Sequence, residues 1–244
     1  MFKKFIILLL LTLFLSGCSD ISHIGFSEVT TSENTADGEV PSDEPEAYRV
    51  HTFYAKDEEF ILTCVFIGDE FFKSLADSGI LNSGQVFAKE GAKAGNITEL
   101  RFPLPTGDGE IGVLTALVNE NPENIIILLG KNDIISSGAE VFADNYTALL
   151  TLIKTYRPDS LITVLSIPPA DIETHVYNNE IISRYNLMLK SAVSGLRDGN
   201  IRFLNLDAEL KNPQGRLKSL YAQSDGISLT DAGMQAVLWA ICNM

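Results

Sequence analysis

The chain has 244 residues, with 18 Lys and Arg against 32 Asp and Glu, a formal net charge of −14 at pH 7. That balance argues against nucleic acid and anionic lipid surfaces as partners, since both reward clusters of basic side chains. Three cysteines and three scattered histidines give neither a disulfide framework nor metal-ligand spacing, and nothing in the sequence calls for a cofactor.

In chain order, Lys3 and Lys4 precede an apolar run over residues 5–15 broken only by Thr12, and Leu15-Ser16-Gly17-Cys18 follows. The run is too short for a membrane span, which needs about 20 apolar residues, and suits the core of a signal peptide. The tetrapeptide resembles the lipobox of bacterial lipoproteins. That resemblance implies cleavage after residue 17 and diacylation of Cys18, and two acyl chains hold a protein stably to a bilayer. The alternatives are an ordinary signal with an incidental cysteine, or an uncleaved anchor. Loss of Lys3 and Lys4 leaves 16 basic against 32 acidic residues, or −16. Residues 18–50 are rich in Ser, Thr, Glu, Asp, Pro and Gly and read as an acidic tether, because such a stretch buries too little surface to fold. Residues 51–244 are long enough for one domain with a substantial core.

Within that domain apolar strands and helical segments alternate. Residues 60–67 (FILTCVFI) read as a strand closed by Gly68, 71–81 as a helix, and 85–88 as a short second strand. Residues 112–118 look helical and lead to a strand at 125–129 (IIILL) closed by Gly130. A helix over 140–156 stops before Pro158, and a strand over 161–167 is closed by Pro168-Pro169. Residues 179–196 form a helix with Ile181, Ile182, Tyr185, Leu189 and Val193 on one face, then a strand over 201–204 and a last helix over 231–242. Fully apolar strands separated by helices predict a three-layer α/β/α sandwich around a mostly parallel sheet. Its site belongs beyond the C-terminal strand ends. Cys64 and Cys242 both fall in apolar runs and read as buried small hydrophobes; a bridge between them is not legible from sequence.

The loops at those strand ends carry a family pattern with two departures. Gly68-Asp69-Glu70 stands where the SGNH (GDSL-type) hydrolases have Gly-Asp-Ser, and Gly130-Lys131-Asn132-Asp133 is similar to their Gly-x-Asn-Asp block. Asp225-Gly226-Ile227-Ser228-Leu229-Thr230 resembles their Asp-x-x-His-Leu-Thr block, with Ser228 where the histidine belongs. The resemblance spans the domain in the expected order and implies the flavodoxin-like SGNH fold.

It also implies a site. Glu70 takes the position of the nucleophilic serine, Ser228 that of the general base, and Asp225 that of the aspartate. Asn132 matches the oxyanion-hole asparagine and Gly91, ahead of Gly95, the oxyanion-hole glycine. Ester hydrolysis by that route needs an activated hydroxyl and a base within hydrogen-bond reach, so the resemblance implies a surface lipoprotein with no intact catalytic set. The expected role is binding of a carbohydrate or other envelope ligand, with the membrane engaged through the lipid anchor on the extracytoplasmic face. Glu70 has two readings: its carboxylate fills the oxyanion hole, or it points outward as a solvated residue at a helix start. The competing function is an active ester hydrolase with relocated residues, either Ser228 with His175 as base or Glu70 acting on water.

Overall fold

The computed structural model describes residues 51–104 and 107–244. The expected signal peptide, the lipidated Cys18 and the tether to residue 50 lie outside the described residues. Five strands form one parallel sheet: β1 (Cys64–Gly68), β2 (Val86–Ala88), β5 (Asn124–Leu128), β6 (Leu161–Leu165) and β7 (Ile201–Leu204), in the order β2-β1-β5-β6-β7. The short strands β3 (Arg101–Pro103) and β4 (Glu110–Gly112) pair antiparallel outside it.

Alternation along the strands builds two cores, because successive side chains point to opposite sheet faces. Val65, Ile67, Ile125, Ile127, Ile162 and Val164 belong to one core. Cys64, Phe66, Ile126, Leu128 and Leu165 belong to the other. The first is closed by α3 (Val113–Glu120), α5 (Ala139–Tyr156) and α6 (Asn179–Gly195). The second is closed by α1 (Ala55–Leu62), α2 (Glu70–Asp77), α7 (Asp207–Leu210) and α8 (Asp231–Cys242). Both faces of the sheet are therefore covered, which is why its strands read as unbroken apolar runs. The three-layer α/β/α architecture expected from sequence is the one observed.

Three local departures from the sequence reading have physical causes. The run 60–67 is not one strand: its first three residues end α1, and β1 starts at Cys64. The acidic stretch upstream starts that helix, with the Asp57 carboxylate accepting from Tyr54 N at 2.9 Å, and Gln85 Nε2 holds its end by donating to Ile61 O, Leu62 O and Cys64 O. α2 ends at Asp77, short of residue 81, where Ser78-Gly79 turns the chain and Gly79 takes φ +74°. The strand expected to 167 stops at Leu165, and the Asn186 side chain bonds both Ile167 N and Ile167 O in place of a ladder.

The topology fixes where a site can form. From β1 the chain crosses to β2 on one side and later returns as β5 on the other side. The strand order thus reverses between β1 and β5, and the crevice beyond their C-terminal ends is the place where such sheets bind ligands. The loops starting at Gly68 and Gly130 open there.

Candidate functional site

Asp69 ties the loop at Gly68 to the loop at Gly130. Its carboxylate caps α2 by accepting from Phe71 N at 3.1 Å and also accepts from Lys131 N at 3.3 Å. The group is fully buried, and burial pushes its carboxyl up to about 7, against the Phe71 N–H and with the Glu70 charge adding to the rise. Asp133 is the matching anchor for the loop after β2: it accepts from Ala94 N at 3.3 Å, and burial raises its carboxyl to about 6. Gly130 opens α4 (Lys131–Ser136) at φ +142°, where any Cβ would stand 2.4 Å from Ile167 Cδ1.

Positions matched to the family pattern meet on this frame. Glu70, the first residue of α2, accepts from Asn132 Nδ2 through Oε2 at 2.7 Å, and the same amide donates to Ala92 O at 3.2 Å. The side chain therefore turns toward the asparagine amide rather than outward to solvent. Gly91 and Gly95 are both exposed, and no hydrogen bond links either backbone N–H to Glu70. Gly91 takes φ +75° and its carbonyl accepts from Asn96 Nδ2.

Asp225 is set by its own backbone. Oδ1 accepts from Ile227 N at 2.9 Å and Ser228 N at 2.8 Å, and Oδ2 accepts from the Ser228 hydroxyl at 2.6 Å. Burial would raise this carboxyl, but the Ser228 hydroxyl, the two N–H groups and the Lys131 charge together hold it below the usual carboxylate range. Lys131 Nζ donates to Ser228 Oγ at 3.4 Å and lies 5.4 Å from the centre of the Phe71 ring. Sequence reasoning passed over Lys131, the unassigned residue inside the Gly-x-Asn-Asp block, although it joins the loop at Gly130 to the segment before α8.

Glu70, Lys131, Ser228 and Gln223 line a cleft of about 380 Å³ together with Phe71, Glu90 and Met234. A cleft this size accepts a small ligand. His175 is elsewhere: it is exposed and lines a separate shallow opening with Glu173, Thr174, Asn178 and Glu180. Among the described residues no group of three His, Cys, Asp or Glu side chains is placed to hold a metal ion. Cys64 is buried and Cys242 half-buried, both as free thiols pushed up to about 12 by burial.

No family model matches the chain, and no curated protein matches it either. Solved structures do. A Streptococcus pneumonia protein provisionally named a platelet activating factor aligns with TM-score 0.58 at 20% identity, over 77% of this chain and 90% of its own. A GDSL-like lipase from Bacteroides thetaiotaomicron aligns at 0.55 and 14%, over 74% and 85% of the two chains. A family 3 carbohydrate esterase from Talaromyces cellulolyticus aligns at 0.52 and 14%, over 74% and 94%. Identities this low speak for architecture alone, and the architecture of this chain is the α/β fold of the SGNH, GDSL-type hydrolases.

Proposed function

We propose that the protein is a lipid-anchored binding module of the cell surface, whose SGNH-like cleft holds a carbohydrate or other envelope ligand without hydrolysing esters. The observation that carries this reading is the 2.7 Å hydrogen bond from the Asn132 amide to Glu70. An oxyanion hole works because its donors are free to meet charge as it develops in the transition state. A carboxylate already seated on that donor occupies it and repels the developing oxyanion. The opposite half of the site supports the same reading. The Ser228 hydroxyl donates to Asp225, a carboxylate held below its usual range and hence a poor base, and Lys131 donates to the serine oxygen. The anchor rests on Leu15-Ser16-Gly17-Cys18, and a net charge of −14 disfavours nucleic acid as a partner.

The test is an ester assay on the full chain in detergent, with p-nitrophenyl acetate and a fluorophosphonate probe. Neither turnover above the buffer rate nor labelling is expected. One observation favours the alternative, an active ester hydrolase: Ser228 Oγ has an amine, Lys131 Nζ, at 3.4 Å. Fluorophosphonate labelling that disappears in Ser228→Ala would establish that alternative and end the binding-module reading.

A further inference from the structure

The charged groups of the cleft do not cancel. Its lining carries three carboxylates, Glu70, Asp77 and Glu90, against the ammonium groups of Lys73 and Lys131, a net charge of −1. Lys73 and Asp77 neutralise each other as an ion pair on successive turns of α2. Among the described residues the other three make no ion pair. Lys131 Nζ donates to the Ser228 hydroxyl at 3.4 Å and sits over the Phe71 ring, while Glu70 bonds only the neutral Asn132 amide. Hydrogen-bonding capacity is equally lopsided. Glu70 uses Oε2 on Asn132, and Gln223 gives Nε2 to Leu229 O at 2.8 Å. The Oε1 atoms of both side chains accept no protein donor among the described residues. Lys131 has N–H groups left to give after its one bond. The cleft therefore fits a positively charged ligand rich in donors that also offers Lys131 an acceptor.

The geometry separates the kinds of cation. A divalent metal ion needs several ligands together, and no three His, Cys, Asp or Glu side chains converge among the described residues. A quaternary ammonium has no N–H for a carboxylate and is recognised by open aromatic faces, whereas the Phe71 ring already carries Lys131 at 5.4 Å from its centre. A guanidinium is favoured where both oxygens of a carboxylate are free to take it, and Asn132 holds Glu70 Oε2 at 2.7 Å. A primary ammonium needs a single oxygen, and it has three N–H groups to share among Glu70 Oε1, Gln223 Oε1 and water. What accompanies the amine is set by charge. An attached carboxylate would make the ligand neutral overall, in a cleft of net −1 on a chain of net −14. Hydroxyls accept from Lys131 and leave the positive charge intact. Phe71, Leu229 and Met234, each at most 3% exposed, supply an apolar floor for the C–H face of a sugar ring.

We propose that the cleft binds an amino sugar by its free ammonium, with Glu70 Oε1 as the acceptor and Lys131 donating to a hydroxyl of the same ring. N-acetylation turns the ammonium into a neutral amide with one N–H, so the site separates de-N-acetylated from N-acetylated glycan. The carboxylate that stands at the serine position is then the recognition group. This inference rests on the binding-module reading and names the ligand class within it.

The experiment is calorimetric titration of the detergent-solubilised full chain with methyl glucosaminide, its N-acetyl form, methyl glucoside and alanine. Each probe carries at most one positive charge, so general attraction of a polycation to an acidic protein does not enter. The glucosaminide binds at least about tenfold more tightly than the other three, the scale of one hydrogen bond between charged partners. Raising the pH until the sugar amine is neutral abolishes that preference. Glu70→Gln keeps the side-chain shape and lowers glucosaminide affinity by about tenfold. Glu59→Gln, at an exposed carboxylate on α1, leaves it unchanged. Should Glu70→Gln fail to fold, the pH comparison on the unaltered protein decides alone. Equal binding of the glucosaminide and its N-acetyl form, tighter binding of alanine, equal losses in the two variants, or no binding of the glucosaminide overturns the inference. Hydrolysis of p-nitrophenyl acetate in the same samples is a separate failure, since it overturns the binding-module reading itself whichever sugar binds.

Discussion

Replacing Glu70 by Ser and Ser228 by His together tests whether the two surviving parts of the site are still competent. The first change removes a charge-assisted hydrogen bond of 2.7 Å, a loss of about 1.5–3 kcal/mol in stability. It leaves Asn132 on Ala92 O and frees the rest of the amide for an ester carbonyl. The second change needs Asp225 to stay where it is. Its Oδ1 is fixed by the Ile227 and Ser228 N–H groups, so Oδ2 is available to an imidazole once the serine hydroxyl is gone. Lys131 opposes the new base: a like charge at about 4 Å costs about 4 kcal/mol at an effective dielectric of 20, and Asp225 offsets it at similar range. Weak esterase activity is the expected result. Either single variant should stay at background, because an unassisted serine is a poor nucleophile and a lone base has nothing to activate. The double variant should exceed both by about 10²- to 10⁴-fold, the usual worth of a general base. Initial rates on p-nitrophenyl acetate, with fluorophosphonate labelling of the new serine, read this directly. A double variant that is folded by circular dichroism yet silent in both assays would refute the claim that Asn132 and Asp225 remain in working positions.

Asp69 and Asp133 make stability pH-dependent. Their folded values, about 7 and about 6, lie above the ordinary 3.8, so the folded state holds protons that the unfolded state has released. Their contribution is complete below pH 4 and falls as pH rises toward 7; urea unfolding should show a shallower decline in Asp69→Asn, and an unchanged slope would count against a buried, titrating Asp69. Gly226 takes φ +69°, and a Cβ there would meet Ile172 N at 2.6 Å. Gly226→Ala should therefore destabilise by about 1–3 kcal/mol, and an unchanged Tm would contradict the close approach. Cys18→Ala should move the protein from membrane to soluble fractions, and retention would point to an uncleaved anchor.

The fold was legible wherever a segment was long enough to show its period. The bounds of β7 and α8 match the expected ones, and α5 differs by one residue, because Phe142, Tyr146, Leu149 and Ile153 repeat at helical spacing against the sheet. The β3–β4 pair was missed because strands of three residues show no alternation. α1 was half hidden because its last turn runs without a break into the apolar β1. In the site, block spacing named Glu70, Asn132, Asp225 and Ser228, which do converge on two adjoining hydrogen-bonded groups. Lys131 was not legible as a site residue, because it acts across 97 positions of sequence.

The Gln85 clamp also bears on how the domain carries mechanical load. A pull at residue 51 first meets His51, bonded to Glu209 and packed on the Trp239 ring at 5.3 Å, so tension enters through the C-terminal elements. It next reaches α1, which shares a modest contact with α8, and then the three carbonyls that one glutamine amide holds at the α1–β1 junction. Beyond that junction stands β1, flanked by β2 and β5 and paired with β5 over five residues. Force along its axis shears many ladder bonds at once, whereas α1 can peel away turn by turn. Under such a pull the helix should therefore yield before the sheet, leaving in register the strands whose far ends carry the cleft.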